Sequence, residues 1–237
     1  MQAPSAVFLH LGAHRTGTSS LQLLIDENAG FLRDRGYDLA WPGRDGAPSG
    51  KLSLKLPTLE LADKANADRI LRARRHLRRF QTGRPSLLIS EENMLGGMRG
   101  FHRGRLYPSL TLRLEAMRQI LPSAPVHALI VLRPFDQLFQ SWYRMRATVH
   151  PVPPLREAIL PHLLASDRWS DVVAQVQAQL KPVRFTVVDY ASRGDNRSLL
   201  ARLLPDIAAD EMTEPQVRLN QSPSDTVLLD IQRRLHL

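Results

Sequence analysis

Short, almost purely apolar runs alternate along this chain with longer segments whose apolar residues recur at helical spacing. Residues 6–11 (AVFLHL) are apolar and followed at once by Gly12, the pattern of a buried strand. From residue 19 to 35, Leu21, Leu24, Ile25 and Leu32 fall on one stripe, predicting a helix. Residues 37–41 predict a second short strand, stopped by Pro42 and Gly43, and residues 43–58 read as a loop. A helix is expected over 59–80, ended by Gly83 and Pro85. SLLIS (Ser86–Ser90) and VHALIVL (Val126–Leu132) read as further buried strands, with helices expected over 110–121 and 136–148. Pro151, Pro153 and Pro154 mark a loop. Helices are then expected over 155–164 and Trp169–Leu180, a last strand over 183–189 and a helix over 198–204. Residues 222–237 carry a start signal (Ser222, Pro223) and apolar Val227, Leu228, Ile231 and Leu235, predicting an amphipathic helix.

Strands that are apolar throughout, each separated by helices, predict a parallel sheet covered on both faces. The expected fold class is α/β: a three-layer sandwich around a central parallel sheet, forming one domain over residues 1–237. Ligands of such sheets sit beyond the carboxyl ends of the strands. The residues after Leu11, Ile89, Leu132 and Val188 are therefore the candidates for chemistry.

Composition narrows the class. With 43% hydrophobic residues in 237, wholesale disorder is excluded. No apolar run approaches the ~18–20 residues of a membrane-spanning helix. The N-terminal apolar run is shorter than a signal-peptide core and lacks a preceding basic segment, so a soluble cytoplasmic protein is expected. Without cysteine there is no disulfide framework, thiolate zinc site or cysteine nucleophile. Lysine and arginine total 32 against 23 acidic residues, a formal charge of +9, and 28 of the cations are arginine. Genomic bias toward arginine codons gives such a count, but arginine forks also suit bidentate contact with phosphate or sulfate. The field of a basic protein attracts polyanions. Composition alone leaves nucleic acid, an acidic glycan and a nucleotide open.

The loop after the first strand is more specific. Gly12-Ala13-His14-Arg15-Thr16-Gly17-Thr18-Ser19-Ser20 combines two glycines, a run of hydroxyls, a cation and the start of a helix. Glycines expose backbone N–H groups, and the helix N-terminus adds unpaired donors and partial positive charge. Each part suits a tetrahedral oxyanion. The spacing of the glycines is that of the P-loop G-x-x-x-x-G-K-[ST], but Thr18 stands where the lysine that reaches the β/γ-phosphates belongs. The cation lies upstream, at Arg15.

The run His14–Gln22 resembles the 5′-phosphosulfate loop of sulfotransferases that use 3′-phosphoadenosine 5′-phosphosulfate (PAPS). That family shows a Lys-x-Gly-Thr-Thr/Ser core opening a helix after the first strand, here with Arg15 in place of lysine. The resemblance implies that Arg15, Thr16, Gly17, Thr18, Ser19 and Ser20 bind the donor's 5′ end. It also implies a 3′-phosphate site made of an arginine at a strand end and a serine about two turns into the next helix. Arg133, after Val126–Leu132, and Ser141, in PFDQLFQSWYRM, match that pattern. A catalytic base is implied near the end of the strand preceding Ser90-Glu91-Glu92-Asn93. Side chains alternate beyond a strand end, so one of Glu91 and Glu92 faces the crevice; Glu91 is the candidate, with His14 and His102 in reserve.

The resemblance implies transfer of a sulfuryl group from PAPS to a hydroxyl or amine of a carbohydrate or small molecule, without a metal. Arg15 would stabilise charge on the leaving phosphate without donating a proton, since arginine stays ionised. A nucleotide-dependent phosphotransferase and a non-catalytic polyanion-binding protein are the alternatives. Arg69, Arg72, Arg74, Arg75, Arg78 and Arg79 crowd one helix and fit either a solvated face or a platform for an anionic surface. Nucleic acid is not expected, with aromatics at 6% and no nucleic-acid-binding motif. Trp142 and Tyr143 fit either the core or an acceptor pocket. The resemblance is specific over residues 6–148. A nucleotide-closing loop common near the family's C-terminus has no recognisable counterpart.

Overall fold

The computed structural model describes residues 3–43, 47, 49–98, 106–158, 169–217, 219 and 223–235. Its centre is a five-stranded sheet in the order β2-β3-β1-β4-β5, with every pairing parallel. The strands are β1 (Ala6–His10), β2 (Tyr37–Ala40), β3 (Ser86–Ser90), β4 (Val126–Leu132) and β5 (Arg184–Asp189). β1 lies between β3 and β4, with Leu9 opposite Ile89 on one side and Ala128 on the other.

Alternation along the strands divides the interior in two, as a pleated sheet requires. Val7, Leu9, Leu87, Ile89, Ala128 and Ile130 pack against helices α3 (Asp63–Arg78), α4 (Leu110–Ile120), α5 (Phe135–Arg146) and α6 (Trp169–Leu180). Phe8, Leu39, Leu88, Leu129, Val131 and Val188 pack against α1 (Thr18–Glu27), α2 (Ala29–Asp34) and α7 (Asn196–Leu203). The architecture is the α/β sandwich expected from the alternation.

Element bounds differ from expectation where local side chains intervene. The helix expected over 19–35 is broken at Asn28, whose Nδ2 donates to Leu24 O at 2.8 Å and to Thr213 O at 2.9 Å. That side chain takes the role of the next helical turn and pins a distant segment. The helix expected from residue 59 starts at Asp63, because Asn66 bonds both backbone groups of Thr58 and folds the preceding residues into turns. Residues 49–58 form no regular strand, but Leu52, Leu54 and Leu56 are buried while Lys51, Ser53 and Lys55 are exposed. This is an extended segment laid on the core. The C-terminal helix α8 spans Asp225–Leu235; Ser222 and residues 159–164 of the expected helix over 155–164 lie outside the described residues. Among the described residues no helix is long and apolar enough to cross a membrane.

Candidate functional site

The carboxyl ends of β1, β3, β4 and β5 open into one cleft of about 1360 Å³. Its floor is the β1–α1 loop. Leu11 N and Ala13 N donate to Leu129 O and Val131 O, and Val131 N donates back to Gly12 O, so the loop's first half continues the sheet beside β4. It then turns back. Gly12 and Gly17 have φ near +90°, and Arg15 also has positive φ, at 62°. Thr16 and Thr18 fasten the turn, both hydroxyls donating to Ala13 O at 2.6 and 3.2 Å. Gly17, in the left-handed conformation, caps α1.

Arg15, Gly17, Thr18, Ser19 and Ser20 line the cleft, at the helix end where backbone N–H groups outnumber intrahelical acceptors. Thr16 does not. It is 1% exposed and its hydroxyl proton is given to Ala13, so its side chain shapes the loop instead of facing a ligand. Beneath the loop, His10 Nδ1 and Ser90 Oγ are 2.9 Å apart, and Gln22 Nε2 donates to Ser90 O at 3.2 Å. Burial, with a smaller contribution from the Arg193 charge, holds the His10 pKa down at about 3.

The two arginines expected to grip an anion meet here. Arg15 Nε donates to Ser141 Oγ at 3.0 Å, and Arg133 Nη1 donates to Arg15 O at 3.1 Å. Ser141 is held on α5, whose Leu138, Phe139 and Trp142 anchor in the core. Arg133 is fixed by the Trp169 indole N–H, which donates to its carbonyl at 2.7 Å, and its guanidinium stacks over the Tyr190 ring at 4.6 Å. Its Nε is buried without a hydrogen-bond partner.

The acidic pair after β3 divides its work differently from expectation. Glu91 is 3% exposed and accepts from Asn93 N at 2.8 Å, capping the single 3₁₀ turn Glu92–Met94. Glu92 lines the cleft, with its Cβ packed on Gly12. The extended backbone of Glu91 turns its own side chain inward and leaves its neighbour facing the cleft. Glu92, not Glu91, is the member of the pair that lines the cleft. His14 also lines the cleft, but both ring nitrogens are engaged, Nδ1 with Tyr107 Oη and Nε2 with Asn93 Oδ1, each at 3.2 Å. Asn93 Oδ1 only accepts, so the proton of a neutral His14 sits on Nε2 and Nδ1 accepts from the Tyr107 hydroxyl, which itself accepts from the His14 amide. Burial pushes the Tyr107 pKa up, which keeps that phenol a neutral donor. His102 lies outside the described residues.

Sequence reasoning pointed to the strand end after Val188 but named no residue of the far wall, and missed the segment near residue 214 altogether. The segment after β5 contributes Tyr190, Arg193, Gly194, Asp195 and Asn196, and the chain near its end contributes Glu214, Pro215, Gln216, Val217 and Leu219. Glu214 accepts from Asn196 Nδ2, Asn196 N and Arg197 N, seating a carboxylate on the N-terminus of α7. Asp195 caps the same helix, and hydrogen bonds, first from Ser198, hold its pKa at about 2. Thr213 is tied on both backbone groups to Asn28. The apolar pattern carries no trace of these contacts; the left-handed Gly194 beside Asp195 is the one local signal of a turn there.

Trp142 packs in the core and also reaches the cleft, whereas Tyr143 faces a separate small pocket against α8 and donates to Pro153 O. The exposed arginines of α3 (Arg72, Arg74, Arg75 and Arg78) and Arg79 just after it lie outside the cleft. Among the described residues no group of three or more His, Asp or Glu side chains is placed to hold a metal ion.

No protein-family model and no curated protein matches the chain. Among solved structures it is similar to a sulfotransferase from Alicyclobacillus acidocaldarius, at 15% identity and a TM-score of 0.45, covering 100% of this chain and 95% of that one. It is also similar to retinol dehydratase in complex with androsterone and the inactive cofactor PAP, at 12% identity and a TM-score of 0.36, covering 99% of this chain and 65% of that one.

Proposed function

We propose that this protein is a sulfotransferase that takes its sulfuryl group from PAPS and passes it to a hydroxyl or amine of a carbohydrate or small molecule. The observation that carries this reading is the convergence of two anion-binding elements in one cleft. The glycine-turned head of α1 and the Arg133–Ser141 pair come from distant parts of the chain, and Arg15 bonds to both members of that pair. A nucleotide bearing one anion at each end of its ribose fits such a pair of sites.

In the proposed reaction the acceptor oxygen attacks sulfur in line and the sulfur–oxygen bond to the nucleotide phosphate breaks. The acceptor proton passes to the Glu92 carboxylate, and the departing oxygen keeps its electron pair as phosphate. Arg15 and the first-turn amides of α1 stabilise that developing charge without reorganising. Arginine gives no proton, and a phosphate leaving group needs none. The Thr18 side chain, hydrogen-bonded to Ala13 O, cannot do what a P-loop lysine does at a triphosphate, which disfavours a phosphotransferase. The arginines on α3 add a second surface that suits an acidic acceptor.

Thermal shift separates the alternatives. Stabilisation by 3′-phosphoadenosine 5′-phosphate without magnesium is expected. Stabilisation by ATP with magnesium alone indicates a phosphotransferase, and by heparin alone a polyanion-binding protein. Mass spectrometry of glycans and small hydroxyl compounds incubated with PAPS and protein then identifies the acceptor.

A further inference from the structure

The loop's own lysine slot is filled by Thr18, and the Nε of Arg15 is directed at Ser141 on α5. A further cation reaches the head of α1 from another element. A Cβ added to Gly17 would lie 2.8 Å from Arg193 Nη1, 3.0 Å from Cζ and 3.1 Å from Nη2. Near-equal distances to these three atoms mean that the guanidinium lies face-on over the Gly17 Cα. Its N–H bonds, which lie in the guanidinium plane, therefore run past Gly17 instead of pointing at it. Only glycine allows this approach.

Arg193 is built into that place. It follows the 3₁₀ turn Tyr190–Ser192, its Nη1 donates to Asn196 Oδ1 at 3.4 Å, and its guanidinium lies 5.7 Å from the centre of the Tyr190 ring. Arg133 stacks on the same ring, so one phenol spaces two cations across the cleft. The acids flanking it on this wall are occupied otherwise: Asp189 accepts from Ala191 N, Asp195 caps α7 and bonds Arg197, and Glu214 accepts from Asn196 and Arg197. Among the described residues neither Arg193 nor Arg133 forms an ion pair. The Arg193 charge is felt at His10, on the strand end directly under the loop.

We propose that Arg193 brings from the β5–α7 connection a second positive charge, beside that of Arg15, to the mouth of the loop, and that its guanidinium binds the 5′-side phosphate or sulfate at the N-terminus of α1. This rests on reading the cleft as the site of an adenosine bisphosphate. Arg193 and Arg133 then divide the nucleotide: one holds its 5′ anion, the other its 3′ phosphate.

Calorimetric titration of wild type, Arg193→Ala and Arg133→Ala with three ligands tests the division. These are adenosine 3′,5′-bisphosphate, adenosine 5′-phosphate and adenosine 3′-phosphate. Arg193→Ala is expected to weaken the first two roughly 10- to 100-fold, the scale of a lost charged hydrogen bond, and to leave the 3′-phosphate unchanged. That unchanged affinity also shows that the variant is folded. Arg133→Ala is expected to spare only adenosine 5′-phosphate. If Arg193→Ala binds the bisphosphate as wild type does, or loses all three ligands equally, the assignment is overturned while the nucleotide reading stands. Wild-type protein that binds none of the three overturns both.

Discussion

Arg15 and Ser141, 126 residues apart in sequence, are joined by a 3.0 Å hydrogen bond from Nε to Oγ. The bond ties the β1–α1 loop to α5 and joins the two proposed anion sites. Residues that share a partner give non-additive effects, commonly by 0.5 kcal/mol or more. Arg15→Ala and Ser141→Ala should each weaken binding of 3′-phosphoadenosine 5′-phosphate, and the double variant should lose at least about 0.5 kcal/mol less than the sum of the two. Strict additivity in a calorimetric cycle would show that the two side chains act on the ligand independently.

The same cleft fixes what Gly17 must be. Its φ of +94° costs a side-chain-bearing residue about 1–2 kcal/mol, and a Cβ there collides with Arg193. Gly17→Ala should lower the unfolding free energy by that amount and weaken nucleotide binding as well, because Arg193 is displaced. Gly83 also has positive φ but has open space around it, so Gly83→Ala should cost stability without touching binding. Equal binding losses in both variants would contradict this account.

Much of the fold was legible because buried parallel strands are apolar almost throughout: β1, β3 and β4 stand out for that reason. The glycine loop was legible from its glycines, hydroxyls and cation, whereas Arg133 and Ser141, which line the same cleft, were singled out by the family resemblance. The far wall was not, since Glu214, Pro215 and Val217 reach the cleft through Thr213's bonds to Asn28 and Glu214's to Asn196, contacts made only after folding. The segment 49–58 read as a loop although Leu52, Leu54 and Leu56 alternate with polar residues; period two was present, but among the described residues no ladder partner accompanies it beyond the Pro42–Lys51 bridge. Choosing between Glu91 and Glu92 needed the backbone turn that makes one a cap.

That difference separates stability from turnover. Glu91 is buried on Asn93 N, and its charge supports the half-buried Arg113 guanidinium, whose own pKa burial lowers. Glu91→Ala should destabilise the protein by about 1–2 kcal/mol, as a lost cap does. Glu92→Gln should leave the melting temperature unchanged and spare nucleotide affinity, but slow sulfuryl transfer about 100-fold, the lower end for a lost general base. Full-rate transfer by Glu92→Gln would move the base elsewhere in the cleft.

His10 gives the fold a pH dependence of its own. Its ring is buried between β1, β3 and α1, 2.9 Å from Ser90 Oγ, and burial lowers its pKa from 6.5 to about 3. Above pH 6.5 the imidazole is neutral in folded and unfolded chains, and it contributes no pH dependence. Below 6.5 the unfolded chain takes up a proton that the folded one refuses, so the stability present at neutral pH is lost as pH falls toward 3. The loss approaches about 1.4 kcal/mol per pH unit in that window. His10→Asn cannot be protonated and keeps an amide near Ser90. It should be less stable than wild type at pH 7.5, and its disadvantage should shrink as pH is lowered from 6 to 4. Urea unfolding of both proteins across that range makes the comparison, with the carboxylates they share cancelling in the difference. A constant gap between the two curves would mean that His10 is protonated in the folded state and that burial does not hold it neutral.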